Sequence, residues 1–349
     1  MAFVVEKIFL NEVKMMEQTY DVTIVGGGPA GMFAAFYAGL HELKAQLIES
    51  LPQLGGQVAA LYPEKQIWDV AGEAGVQGRE LIADLKKQMA IAPVDQFLGE
   101  QVTNVVKLAD GTFKIESAQR TSYSKAVVIA LGNGAFSPRR LALDGADQLE
   151  GRQVRYFVSD QSDFADQRVA VLGGGDSAID MALMLEPIAK EVHLIHRRDA
   201  FRALEHTVSQ LKKSQVQVET PYLPKELQVN EDDSIDLTLK KMRSDEEKHL
   251  AVDKILVNYG FTSNNAALNE WELPLASERG LIKVDSKMET SVPGVYAIGD
   301  GVTYPGKAAL IAVGFGEAPI AITALAKALY PQKRMATHSS SMHIDSQHK

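Results

Sequence analysis

There is no cysteine anywhere in the 349 residues. No disulfide, thiolate nucleophile or iron–sulfur ligand can therefore come from this chain. Such usage fits a reducing compartment, so a cytoplasmic location is expected. Positive charge is also scarce: 36 Lys and Arg against 45 Asp and Glu leave a net charge of −9. That argues against a nucleic-acid-binding surface, which needs concentrated Lys and Arg. No stretch approaches the roughly 18 apolar residues of a membrane span, so no membrane segment is expected. Residues Met1–Met16 mix apolar positions with Glu6, Lys7, Glu12 and Lys14, and lack the apolar run and cleavage site of a secretory signal. Residues 1–17 are expected to form a disordered leader, or to reflect an upstream start with Met16 as the working one.

What the chain does contain is glycine in two telling places. Tyr20–Ser50 reads YDVTIVGGGPAGMFAAFYAGLHELKAQLIES. A β-branched run over Asp21–Val25 stops at three glycines, Pro29–Leu40 follows at helical spacing, and Lys44–Glu49 returns to a strand. Gly26, Gly28 and Gly31 form G-x-G-x-x-G at the strand-to-helix turn. The first permits the turn, the second lets a pyrophosphate reach the backbone, and the third lets helix and strand touch; Ala30 stands inside it. Glu49 closes the second strand, where a carboxylate accepts hydrogen bonds from ribose hydroxyls.

A second unit of the same kind occupies Arg168–Arg198. Its strand is Arg168–Leu172, its helix Asp176–Leu185 and its second strand Glu191–His196. Gly173, Gly175 and Ala178 supply a G-x-G-x-x-A turn, followed by the first helical residues Asp176 and Ser177. Here the second strand ends in His196-Arg197-Arg198, with Arg202 a turn further on. Guanidinium groups pair with a 2′-phosphate that a carboxylate would repel, each such bond being worth about 1.5–3 kcal/mol. The opposite charges at equivalent positions suit FAD in the first site and NADP(H) in the second. The bland alternative for these arginines is a solvated helix start.

A length of 349 residues exceeds one typical core, so two domains are expected. The fold class is α/β, with two Rossmann-like dinucleotide-binding domains. Residues 18–136 and 263–332 are expected to form a discontinuous FAD domain, 137–262 the NADPH domain and 333–349 a C-terminal extension. Leu54–Gly72 reads as a long loop. Its Tyr62 either lies against a planar ring or is a half-buried structural aromatic. Gly78–Ala92 reads as a helix with Leu81, Ile82, Leu85 and Met89 on one side. Asp300, delivered by the short strand in Thr290–Asp300, either accepts from a ribityl chain or is a plain turn residue, and a helix opening near Lys307–Leu310 follows it. His338, His343 and His348 fit no compact metal set.

Seven motifs together resemble the ferredoxin–NADP reductases of the thioredoxin-reductase-like type. They are GGGPAG at 26–31, QLGGQ at 53–57, YPEK at 62–65, GNGAF at 132–136, LGGGDSAID at 172–180, IHRRDAFRA at 195–203 and GFGEAP at 314–319. Thioredoxin reductases share the architecture but carry a Cys-x-x-Cys where Tyr156-Phe157-Val158-Ser159 stands, and bacillithiol-disulfide reductases look to have a cysteine at Ala30. The resemblance implies FAD contacts from Glu49, Gln57, Tyr62, Val102, Phe136, Asp300 and Ser340, with His338 stacking on the flavin and Ser339 near its N5, from a tail often donated by the partner of a homodimer. Met342-His343 departs from the family's usual Leu-Phe. The implied activity is hydride transfer from NADPH to FAD and single-electron transfer to ferredoxin or flavodoxin. An NADPH oxidase, an external-disulfide reductase and a redox-dependent binding flavoprotein stay open. Lys65, Arg139, Arg140, Lys333 and Arg334 are the residues expected to steer an acidic partner.

Overall fold

The computed structural model describes residues 19–333 apart from 133 and 265, with backbone only at 135–137 and 261–267. These residues form two compact units. The first holds residues 19–60, 67–135 and 263–333; the second holds Leu61–Gln66 and Phe136–Thr262. The expected domains put Leu61–Gln66 in the first unit. It clusters instead with the second, where Lys65 Nζ pairs with Asp180 at 2.7 Å.

In the first unit the strand Tyr20–Val25 runs parallel to Ala45–Glu49 on one side and to Thr121–Ile129 on the other. Asp95–Leu98, a strand not anticipated, adds beyond Ala45–Glu49. The nine-residue strand Thr121–Ile129 divides its free edge: its start pairs antiparallel with Phe113–Ser117, and its end pairs parallel with Val295–Ala297. Both faces are covered, so the strands are rich in buried apolar residues, and the polar Gln46 among them donates to Thr23 at 2.7 Å and to Ser122 at 2.9 Å. Val25, Val127 and Ile129 join Val102, Phe113, Ile115 and Trp271 in one core. The alternate residues Ile24, Leu47 and Val128 are fully buried as well, on the opposite face that strand periodicity dictates.

The helix Pro29–Leu40 forms over the expected span, and the one expected over Gly78–Ala92 ends at Met89, burying Leu81, Ile82, Leu85 and Met89. Two expectations need correcting. Gly56–Leu61 is a short helix rather than loop, because Gly55 and Gly56 absorb the left-handed turn at φ +119° and +53° and so free the next residues to bury Val58 and Leu61. The last helix, Ile311–Leu329, has 19 residues and by length and composition is apolar enough to cross a membrane. Here it packs on the opening helix, with the Phe33 and Phe315 rings edge-on at 5.4 Å, and buries Ala318, Ala321, Ile322 and Leu325 completely.

The second unit repeats the plan. Five parallel strands stand in the order Val154–Arg155, Lys254–Val257, Arg168–Leu172, Glu191–Ile195 and Gln217–Glu219. Val169 and Val171 face the helix side with Ile179, Ala182 and Leu185. Ala170 and Leu172 face the other side, against the antiparallel sheet of Tyr222–Val229, Ile235–Lys241 and Glu247–Val252.

At the amino-terminal end of the first sheet, Asp21 ties the end of the long helix to two strands. Its carboxylate accepts from Tyr330 Oη at 2.5 Å, Lys125 Nζ at 2.8 Å and the Lys44 amide at 2.9 Å. Burial acts to raise the Asp21 pKa, but these bonds outweigh it and hold the carboxyl below its ordinary 3.8. A depressed folded-state pKa contributes stability above the unfolded value and loses it as pH falls through the folded one. Asp21→Asn is therefore expected to lose on the order of 2 kcal/mol of unfolding free energy at pH 7. Denaturant titrations should show that difference shrinking once the pH drops below 3.8.

Candidate nucleotide-binding sites

Both glycine turns stand at the carboxyl end of their parallel strands, where this kind of sheet binds ligands. In the first, sterics decide the residue types. A Cβ on Gly31 would lie 1.9 Å from the Gly26 carbonyl oxygen, and one on Gly26, at φ +110°, would lie 2.4 Å from that of Ala130. Gly28 is different: a Cβ there would meet nothing within 4 Å. Its missing side chain answers no contact within the protein, so it leaves backbone open to a ligand. The helix starts at Pro29 with no side-chain cap, so its first-turn amides remain available to an anion.

Glu49 is buried at the end of the second strand and touches the turn itself. Its Oε2 accepts from the Gly27 amide at 2.6 Å, while Oε1 accepts from the Leu51 amide at 2.8 Å and Ser50 Oγ at 3.1 Å. A carboxylate has about four acceptor positions, so one remains for a ribose hydroxyl. Around it, Glu100 N donates to the Glu49 carbonyl at 2.9 Å, and buried Val102 follows two residues later. The Gly55 amide donates to the Gly27 carbonyl at 2.8 Å, and a Cβ on Gly56 would lie 3.0 Å from Gly28 Cα. That brings Gln57 beside the turn. Tyr62 is half-buried, with Lys65 Nζ 6.0 Å from its ring centre.

Asp300 sits in the turn Gly299–Gly301, and a Cβ on Gly299 would lie 3.5 Å from that of Ala30. The first glycine turn and the Asp300 turn thus adjoin. The helix expected to open near Lys307–Leu310 begins at Ile311. Sequence reasoning missed what holds the Asp300 turn: Glu317, from GFGEAP, accepts from the Gly299 amide at 2.6 Å. The available signal was an acid in the middle of an otherwise apolar helix.

In the second unit a Cβ on Gly173 would lie 2.5 Å from the Asn258 carbonyl oxygen and 2.8 Å from Ala178 Cβ. The loop after the second strand folds back onto this turn. Arg202 N donates to the Gly174 carbonyl at 2.8 Å, and Leu204 N to Asp176 Oδ1 at 2.9 Å. The His196 ring covers Gly174, where a Cβ would lie 2.2 Å from it, and stacks on Phe201 at 5.5 Å. Burial, then Arg197 and Arg198, hold the His196 pKa below 6.5, so the ring is neutral at pH 7 and the positive charge belongs to the arginines. Arg197, Arg198, Arg202, Asp176 and Ser177 are exposed, and among the described residues no carboxylate pairs with the three arginines. Asn258 Nδ2, at the adjoining strand end, is buried and has no hydrogen-bond partner among the described residues.

Several expected residues are placed elsewhere or not at all. His338, Ser339, Ser340 and Arg334 lie outside the described residues, as does the side chain of Phe136. Of the basic residues expected to steer a partner, Lys65 pairs with Asp180, Arg140 with Glu150 at 3.3 Å, and Lys333 with Glu42 at 3.4 Å. Local carboxylates thus offset three of those charges.

Two nucleotide sites of opposite charge in one chain define a two-nucleotide oxidoreductase. The sequence profile of the pyridine nucleotide-disulphide oxidoreductases matches residues 20–324. The chain is 72% identical over 330 residues to a ferredoxin–NADP reductase of Limosilactobacillus reuteri (strain DSM 20016), covering 95% of this chain and 99% of that one. It is 74% identical over 329 residues to that of Limosilactobacillus fermentum (strain NBRC 3956 / LMG 18251), covering 94% and 100%. Among solved structures, it is similar to thioredoxin reductase of Lactococcus lactis at TM-score 0.75 and 28% identity, over 88% of this chain and 98% of that one. Against thioredoxin reductase of T. acidophilum the values are 0.76, 27%, 89% and 99%. The chain belongs to the ferredoxin–NADP reductases within the pyridine nucleotide-disulphide oxidoreductase family.

The glycines separate fold from binding. Gly31→Ala is expected to destabilise the protein by roughly 3 kcal/mol or more, because backbone must move. Gly28→Ala should change the unfolding free energy of FAD-free protein by within about 1 kcal/mol and yet weaken FAD uptake at least about tenfold, a loss of roughly 1.4 kcal/mol. Chemical denaturation and fluorescence titration with FAD check the pair.

Proposed function

We propose that this chain is an FAD-dependent oxidoreductase that moves electrons between NADPH and a small one-electron carrier, ferredoxin first and flavodoxin second. The observation that carries the reading is the contrast at equivalent strand ends between buried Glu49 and exposed Arg197 and Arg198, with Arg202 a turn further on, none of which pairs with a carboxylate among the described residues. The carboxylate accepts from an unphosphorylated ribose, and the guanidinium groups neutralise a 2′-phosphate. Bound FAD supplies the redox chemistry, taking electrons as a pair from NADPH and releasing them singly.

The protein's own residues bind and orient. Gly28 and the uncapped helix start receive the pyrophosphate, with Ala30 and Gly31 closing the turn behind them. Asp300 accepts from the ribityl chain, Tyr62 and Gln57 border the ring system, and Val102 and Phe136 flank the nucleotide. Gly173, Gly175, Asp176 and Ser177 receive the second dinucleotide. The family resemblance assigns His338, Ser339 and Ser340, which lie outside the described residues, to the flavin, in a homodimer working in the cytoplasm. With no cysteine in the chain, electrons have no thiol relay and leave directly to the partner.

Steady-state turnover with NADPH and ferredoxin, flavodoxin, oxygen or a protein disulfide tests this. Reduction of the carrier proteins should be fastest, and a faster rate with oxygen alone sinks the assignment. Substituting Arg197→Ala and Arg198→Ala together should raise KM for NADPH roughly 10- to 100-fold and leave KM for NADH unchanged. Equal losses for both cofactors would remove the 2′-phosphate role.

A further inference from the structure

Glu317 of the helix Ile311–Leu329 forms a buried ion pair with Lys307 beside the Asp300 turn. Glu317 is 2% exposed. Its Oε1 accepts from Lys307 Nζ at 2.5 Å and from Tyr304 Oη at 2.7 Å; its Oε2 accepts from the Gly299 amide at 2.6 Å. The Lys307 side chain is 8% exposed. Burying two charges seldom stabilises a fold more than an apolar pair of the same volume would. Stability therefore does not account for this cluster.

Its position suggests what does. Gly299 has φ +79°, and Gly301 approaches so closely that a Cβ would lie 2.5 Å from the Gly132 carbonyl oxygen. The turn between them carries Asp300. A Cβ on Gly314, one helical turn before Glu317, would lie 3.2 Å from Ala30 Cβ and 3.6 Å from Gly299 Cα. The ion pair, the Asp300 turn and the first glycine turn are thus one contiguous body. Asp300 senses both charges: burial raises its carboxyl pKa, Lys307 lowers it and Glu317 raises it.

We propose that Glu317 is a positioning residue that locks the Gly299–Gly301 turn for FAD, and that the Lys307–Glu317 pair sets the reduction potential of the bound flavin by keeping the charge beside that turn balanced. This rests on the reading of Asp300 as an FAD contact. Negative charge accumulates on a reduced flavin, so an uncompensated Lys307 stabilises the reduced form and an uncompensated Glu317 the oxidised form.

The test is a charge cycle on the full-length protein, read by spectroelectrochemistry of bound FAD and by FAD affinity after reconstitution. Glu317→Gln is expected to raise the midpoint potential, Lys307→Met to lower it, and the double variant to return it toward wild type. Glu317→Ala, which removes the acceptor for Gly299, should weaken FAD binding at least about tenfold, with NADPH affinity retained. Potentials moving in the same direction in both single variants, or not moving, would overturn the charge-setting role; undiminished FAD affinity in Glu317→Ala would overturn the positioning role. If one single variant does not fold, the other single and the charge-neutral double still carry the sign test. A wild-type protein that takes up no FAD would instead sink the functional reading on which the inference stands.

Discussion

Backbone contact where no side chain fits is the constraint on which both nucleotide units depend. At Gly26 and Gly173, the first glycine of each turn, a single added carbon would overlap a carbonyl at the exit of the neighbouring strand, at 2.4 Å and 2.5 Å. Glycine there lets a helix start against the strand that precedes it, so that its uncapped amides arrive at the carboxyl edge of the sheet. The β-branched strands, covered on both faces, supply a rigid edge for that contact. What distinguishes the two sites is built on a shared frame that itself differs at the helix side, where Gly31 stands in the first turn and Ala178 in the second.

The difference between them is one of charge and solvent. Glu49 is buried and already bound to the amide of Gly27 inside the glycine turn, so its role is partly internal and its orientation is set before any ligand arrives. The arginines of the second site stay in water, with only their loop backbone clipped down through Arg202 and Leu204. A buried acid discriminates by shape and remaining hydrogen-bond capacity, whereas exposed guanidinium groups discriminate by charge and are screened by salt.

Both turns and the helices and strands beside them were legible in the sequence because each rests on short-range spacing: glycines two and five apart, apolar residues with a period of two or of a helix. The family could be read from motifs alone for the same reason. The Glu317 cluster could not. Its partners lie 10, 13 and 18 positions away, and only the folded chain brings them together. Asp95–Leu98 was missed because its exposed polar residues lack the apolar run of a central strand. Gly56–Leu61 was misread as loop because glycine density marks a turn without saying how soon regular structure resumes after it. The carboxylates beside Lys65, Arg140 and Lys333 were not legible for a related reason: sequence counts charges but does not reveal which acid stands beside each.

The short excursion Leu61–Gln66 has a bearing on modularity. Because these six residues cluster with the second unit, the chain passes between units four times rather than twice. The second unit is therefore not a single cassette. A transplanted Phe136–Thr262 would leave Asp180 without Lys65 and would leave Tyr62 behind with the donor. Recombination between relatives that exchanges the second unit intact must carry two separate stretches of gene, which ties the evolution of YPEK to that of a helix more than a hundred residues downstream.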